Sequence, residues 1–254
     1  MRDLLRYRDL LGALVIRDLK VRYRRSAIGF MWTMLQPLLT MLVLTAVFSS
    51  IFRFKIDNYP VFALSGIIFW NFFSQSITAS MNSLKGNAHL LTKIPVPKAV
   101  FPLATVGSGL VNLLLALVPL FLILLITGHP LEPALLFLPV AILLAALFTL
   151  RAKLLLSPLA ALFSNVIELV GVLMTMLMYL TPVFYPMDIL PDNYRWVVRF
   201  NPIRSILEIF RDPIYYGKVP PLSHLTVAIT VTAIALLVSG AAFRRSNDRI
   251  PFYL

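Results

Sequence analysis

Apolar residues run along this chain in long stretches, broken by short charged, polar or proline-containing connections. The stretches cover about Ile28 to Phe52, Tyr59 to Met81, Ala99 to Thr127, a run opening near Ala134, Val166 to Tyr185, and Ser223 to Phe243. Each is close to the ~20 residues a helix needs to cross hydrocarbon. The pattern predicts an all-α integral membrane protein of about six transmembrane helices. Residues 1–27 precede the first span, 28–243 form the membrane domain, and 244–254 form a tail that is basic at its start. The connections are a charged turn from Arg53 to Asp57, a polar element over 82–98, a Gly128-His129-Pro130 break, and a mixed segment over 186–222.

Composition agrees: 59% of residues are hydrophobic, 13% are charged, and mean hydropathy is +0.85. Spans and short connections use almost all of the 254 residues, so no separate soluble domain of ~100 residues fits. That excludes a built-in motor or catalytic module. The charged opening, Met1-Arg2-Asp3 through Arg25, has no short apolar core followed by a small-residue cleavage site, so the first span is expected to be the insertion signal. Cysteine is absent, which removes disulfides and thiolate metal sites. A net charge of +12 raises nucleic acid as a partner, but membrane topology explains the basic residues better.

Orientation follows from lysine and arginine in short connections. Arg2, Arg6, Arg8, Arg17, Lys20, Arg22, Arg24 and Arg25 precede the first span. Lys85, Lys93 and Lys98 lie between the second and third, and Arg244, Arg245 and Arg249 in the tail. Opposite them stand Arg53 and Lys55 alone in the first turn, and no basic residue at Gly128. Both termini are therefore expected inside. The 186–222 segment, with Arg195, Arg199, Arg204, Arg211 and Lys218, argues weakly the other way, although Asp188, Asp192, Glu208 and Asp212 accompany them.

Leu10, Leu11, Leu14, Val15 and Leu19 fall on one helical face, with Arg8, Asp9, Arg17, Asp18 and Lys20 mostly off it. This predicts an amphipathic helix in the headgroup plane, its basic face toward lipid phosphate or a partner. The 82–98 element carries Leu84, Leu90, Leu91 and Ile94 as a short apolar edge, and Pro95 and Pro97 fix an extended exit. It reads as a docking element on the inner face. In the 186–222 segment and its approach, proline-broken aromatic pieces are expected either as re-entrant helices near an exit gate or as a surface hairpin.

On these residues the chain resembles the membrane subunit of type-2 ABC transporters, in the branch that exports O-antigen, capsule or teichoic acid polysaccharides. The resemblance lies in Arg17-Asp18-Leu19-Lys20-Val21-Arg22-Tyr23 running into Ser26 to Trp32, then Gln36-Pro37-Leu38. It continues in Leu64-Ser65-Gly66 with Phe69-Trp70, in Leu91-Thr92-Lys93 through Pro97-Lys98 to Phe101-Pro102, in Thr181-Pro182-Val183 through Leu190-Pro191, and in Asn201-Pro202. The matches keep their order over nearly the whole chain. The resemblance implies a homodimer of six-helix subunits bound to two copies of a separate ATP-binding subunit. ATP and magnesium would sit on that partner, with no cofactor on this chain. It implies outward movement of a lipid-linked glycan across the bacterial inner membrane. It assigns ATPase contact to the N-terminal helix, with Arg17, Lys20, Arg22 and Arg24, and to the 82–98 coupling element, with Lys85, His89, Lys93 and Lys98. The 186–222 segment becomes the outer gate.

One stretch departs from the family pattern. Arg151-Ala152-Lys153 interrupts the fourth apolar run, and Ser164-Asn165 stands where an Arg-Asp pair is expected. Two basic side chains facing lipid at mid-bilayer cost about 5–7 kcal/mol. Either the span stops near Leu150 and the pair snorkels at the interface, or the helix continues and the pair faces the channel, where a lipid pyrophosphate is the natural counter-charge. Impaired transport is a third outcome.

No catalytic set accompanies this. There is no Gly-x-x-x-x-Gly-Lys-[Ser/Thr] loop. The histidines, His89, His129 and His224, stand far apart, as do Glu132, Glu168 and Glu208. Aromatic residues are the better substrate contacts, because sugar C–H faces pack on rings. Trp32, Phe69, Trp70, Phe72, Phe73, Tyr179, Phe184 and Tyr185 are the candidates; with Arg151 and Lys153 they define the expected pathway. An ordinary interfacial aromatic belt explains the same residues. A permease for a small lipophilic compound is the alternative function. A membrane glycosyl- or phosphotransferase ranks below it for want of an acidic or histidine cluster.

Overall fold

The computed structural model describes residues 7–24, 28–50, 56–93, 96–163 and 165–247. Their helices are α1 (Arg8–Tyr23), α2 (Met31–Ser50), α3 (Tyr59–Gly86), α4 (Ala88–Lys93) and α5 (Val100–Ile126). After these come α6 (Leu138–Leu162), α7 (Asn165–Leu180), α8 (Asp192–Arg199), α9 (Pro202–Arg211) and α10 (Leu222–Asn247). Short 3-10 turns lie at Pro133–Phe137 and Met187–Ile189, and a π turn at Asp212–Tyr216. Among the described residues there is no strand.

Among the described residues five helices are long and apolar enough to cross a membrane: α2, α3, α5, α6 with the turn before it, and α10. The sixth apolar helix, α7, has 16 residues. At 1.5 Å per residue it is roughly 24 Å long, short of the ~30 Å hydrocarbon core. It stops at Leu180 and not at the expected Tyr185. Pro182 has no N–H and forces Thr181 out of the helical region. The Thr181 hydroxyl donates back to the Leu177 carbonyl at 2.6 Å.

The central element is α3. Of its apolar window 78% is buried, against 11% for α2 and for α10. α5 and α6 pack along it, α2, α7 and α9 add to its surround, and α10 lies against α6. The uncovered apolar flanks, such as Leu42 and Val43 on α2 and Leu169 and Val172 on α7, suit lipid or a second copy better than water. Gly128 closes α5 with φ 65°, and the His129 N–H donates to the Leu124 carbonyl at 2.9 Å. The positive φ is cheap for glycine, and the break falls where the sequence placed it.

At the basic end, Leu14, flanked by Leu10, Leu11 and Val15, packs into a second apolar cluster with Leu84, Val100, Phe101, Ala104 and Ala161. The apolar residues expected to face lipid therefore meet the ends of α3, α5 and α6. α3 runs past Met81 to Gly86, so the 82–98 element begins as helix and turns at Asn87 into α4. Pro95, Ser164, most of the Arg53–Asp57 turn and the tail beyond Asn247 lie outside the described residues. α6 is unbroken through Arg151 and Lys153 to Leu162, so the pair lies on a continuous helix and not at its end.

Candidate functional site

A groove of about 520 Å³ opens at the basic end between α1, α2, α3 and α5. Arg17 and Arg22 stand on its α1 wall, and Asn71, Gln75 and Ser76 line α3. Arg17 ties the mouth together. Its Nη1 donates to Asn87 Oδ1 at 2.6 Å and its Nη2 to Asp18 Oδ1 at 2.8 Å. Asn87 in turn donates to the Ser83 carbonyl at 2.7 Å, so the N-terminal helix is tied to the α3–α4 turn. Higher up, the Tyr23 hydroxyl donates to Asn112 Oδ1 at 2.5 Å and lies 2.7 Å from Thr33 Oγ1. Tyr23 thereby links α1, α2 and α5.

At the opposite end a buried arginine organises the segment after α7. Arg211 is 2% exposed. Its Nη1 and Nη2 donate to the Pro182 and Val183 carbonyls, each at 2.8 Å. The guanidinium lies 3.9 Å from the Phe62 ring centroid, a cation–π contact. Asn201 holds the same turn: Nδ2 donates to the Leu180 carbonyl at 3.2 Å and to Thr181 Oγ1 at 2.9 Å. Its Oδ1 accepts from the Ile203 N–H at 3.0 Å, capping α9. The Tyr59 hydroxyl donates to the Phe184 carbonyl at 3.0 Å. The Leu180 carbonyl at the end of α7 and the Pro182, Val183 and Phe184 carbonyls after it are thus satisfied by Asn201, Arg211 and Tyr59. Alongside, Glu208 accepts from Arg204 Nε at 2.8 Å and lies 3.0 Å from His224 Nε2, which pins α9 to the start of α10.

The sequence-predicted pathway residues separate into two sets. Phe69, Trp70 and Phe73 are buried within the subunit. Phe69 packs on Phe210, and Phe73 on Trp70 and Phe148. Trp32 and Tyr179 are exposed, and Trp32 lines the groove. Phe184 and Tyr185 are half-buried, and the Tyr185 hydroxyl donates to the Tyr179 carbonyl. Lys153 is fully buried and donates to Thr105 Oγ1 at 3.2 Å, behind the groove wall. Arg151 is half-buried and makes no hydrogen bond or ion pair among the described residues. At the basic end Lys20, Arg22, Arg24, Lys85 and His89 are exposed and Lys98 is half-buried. The side chain of Lys93 lies outside the described residues.

Sequence reasoning missed Arg211 as a clamp, having counted it among loop charges. It also missed Ser76 and Asn112 as groove lining, because polar residues inside an apolar run carry no spacing signal. Asn201-Pro202 did carry one, since Asn before Pro at the first helical position marks a helix start.

A bundle with a polar groove at its basic end and a clamped, proline-broken segment at the other suits transport better than chemistry. The profile of the ABC-2 type transporter family matches residues 9–215. This chain belongs to the ABC-2 type transporter family. Among curated relatives, the O-antigen export system permease protein RfbA of Myxococcus xanthus is 33% identical over 98% of this chain and 96% of its own length. The protein of the same name from Klebsiella pneumoniae is 29% identical over 91% and 89%. The polysialic acid transport protein KpsM of Escherichia coli is 23% identical over 93% of each chain. As an ABC-2 permease the chain is a transport component and not an enzyme.

Proposed function

We propose that this chain is the permease subunit of an ATP-driven exporter that moves lipid-linked polysaccharide outward across the bacterial inner membrane. The observation that carries the reading is its likeness, over nearly full length, to proteins named as O-antigen export permeases. In this reading two copies form the pathway, and α7 with its Thr181–Tyr185 extension completes a sixth crossing. Both termini lie in the cytoplasm, so the basic end is the cytoplasmic end and the clamped segment is the outer gate.

The Arg17–Asn87 bond supports a role for α1 and the α3–α4 turn in gripping a separate ATP-binding subunit. Force applied there reaches α3 directly, because Asn87 caps that helix. Because α3 also holds the Pro182–Phe184 turn through Tyr59 and the Arg211 clamp, one rigid helix connects motor contact to gate. ATP and magnesium belong to the partner. Trp32 and Tyr179, exposed on α2 and α7, are the aromatic residues best placed for sugar contact. Phe69, Trp70 and Phe73 serve the core.

The test is co-expression with a candidate ATP-binding subunit in a strain that makes the lipid-linked glycan. Nucleotide hydrolysis should appear only in the complex, and glycan should reach the outer face only with both subunits. Glycan export by this chain alone, or movement of a lipophilic dye but not glycan by the complex, would overturn the reading.

A further inference from the structure

The groove at the basic end has a lining that a passive crevice between membrane helices does not need. Along α3 it extends from Asn87 to Ile68, roughly 28 Å of helix at 1.5 Å per residue. Polar side chains at such depth persist only with partners or a hydrated ligand beside them. Several have protein partners, but Ser76 Oγ is buried and has none, and Asn71 makes no side-chain hydrogen bond among the described residues. Gly109 packs directly against Ser76 in the groove wall, and a Cβ there would collide with the serine hydroxyl.

The charge around the groove is positive. Asp18 is the one acid among its lining residues, and Arg17 already pairs with it. Arg22 is exposed, and its partner among the described residues is the neutral Gln75, at 2.5 Å. Behind the wall, Lys153 is fully buried against Thr105, with no carboxylate in ion-pair reach among the described residues. Beside the polar strip, Trp32, Pro37, Leu113 and Ala116 supply apolar wall. A cavity of about 520 Å³ falls in the range of small-molecule sites. Anionic, hydroxyl-bearing and amphiphilic is the chemistry that fits all of these features.

We infer that this groove binds the phosphate-and-hydroxyl head group of an amphiphile from the adjoining leaflet. Its phosphate sits at Arg17 and Arg22, and its hydroxyls reach Asn71 and Gln75, which are partly open to the groove. Guanidinium groups suit phosphate through charge-assisted hydrogen bonds, and amides and hydroxyls suit a polyol or sugar. Two sources share this chemistry: a glycerophospholipid with a polyol head, and the sugar-pyrophosphate end of a polyprenyl-linked glycan. The second source rests on the export reading above; the site itself does not.

The experiment uses the delipidated permease–ATPase complex and native mass spectrometry with three probes: phosphatidylglycerol, farnesyl-pyrophosphoryl N-acetylglucosamine and phosphatidylcholine. Phosphatidylglycerol or the sugar pyrophosphate is expected to bind, and phosphatidylcholine to bind more weakly. Arg22→Gln should weaken the favoured probe about tenfold, the loss expected for one charge-assisted hydrogen bond. Gly109→Ala should weaken it too, by forcing the α3 and α5 walls of the groove apart at Ser76, and serves as a second variant away from the charged mouth. Preference for the first probe identifies a resident lipid; preference for the second identifies the carrier head group. Equal retention of all three probes, or binding unmoved by both variants, overturns the inference. Glycan export that persists in that case leaves the export reading standing. Loss of ATPase assembly or of export in the unmutated complex sinks that reading whatever the probes do.

Discussion

Replacing Arg211 by methionine tests whether one buried cation holds the outer turn closed. Methionine keeps most of the stem packing and removes the guanidinium. The Pro182 and Val183 carbonyls, each bonded at 2.8 Å, then lose their donor, at about 1–3 kcal/mol apiece for buried groups. The stacking on Phe62 at 3.9 Å is lost as well, about 1–2 kcal/mol at a desolvated site. Against this, the variant no longer buries a cation, whose desolvation costs several kcal/mol. We place the net at about 2 kcal/mol in favour of opening, or roughly thirtyfold in the open population. Because the chain has no cysteine, Val183→Cys gives a unique thiol at a position 0% exposed, and its maleimide labelling rate reads that population. Labelling should rise roughly thirtyfold in the methionine background and by less with Arg211→Lys, whose single ammonium lacks the fork that holds two carbonyls. A rate within about twofold of the Arg211 parent means the turn is held by other contacts, and the clamp argument fails.

Gly66→Ala attacks the same turn from α3, because a Cβ there meets both Arg211 Nη2 and the Val183 carbonyl. It should raise Val183→Cys labelling, and its effect should not add to that of Arg211→Met, since the two share one contact. Lys153→Met should leave thermal stability unchanged or raise it, as apolar replacement of a buried charge often does, and should leave export intact. A folded Lys153→Met protein that no longer exports would put the ammonium in the pathway. Phe73→Ala should cost about 3–5 kcal/mol and lower the yield of folded protein in a thermal-shift assay. Trp32→Ala, at a half-exposed position, should leave stability within about 0.5 kcal/mol while reducing glycan export.

Five of the six apolar runs were legible as helices long enough to cross a membrane, because hydrocarbon imposes a length and a composition that no tertiary contact overrides. Boundaries set by a local rule were legible too: Gly128 ends α5, and Asn201-Pro202 opens α9. What escaped was set by pairs far apart in sequence. Trp70 and Phe73 read as pathway or interfacial belt, yet they pack in the core, since an aromatic in an apolar helix has the same pattern whether it faces Phe148 or a sugar. Lys153 read as a residue that had to reach substrate or interface, yet α6 carries it into the bundle, where Thr105 takes its proton donor. A desolvated lysine with one hydroxyl partner remains costly. A cation held behind a wall already lined by Arg17 and Arg22 would add to the groove's hold on an anion. This makes Lys153 and the head-group site one question. If Lys153→Met leaves head-group binding unchanged, the buried charge is structural. If it weakens binding without disturbing Arg17, Asn87 or the folded yield, the departure at Arg151-Ala152-Lys153 tunes the groove from behind.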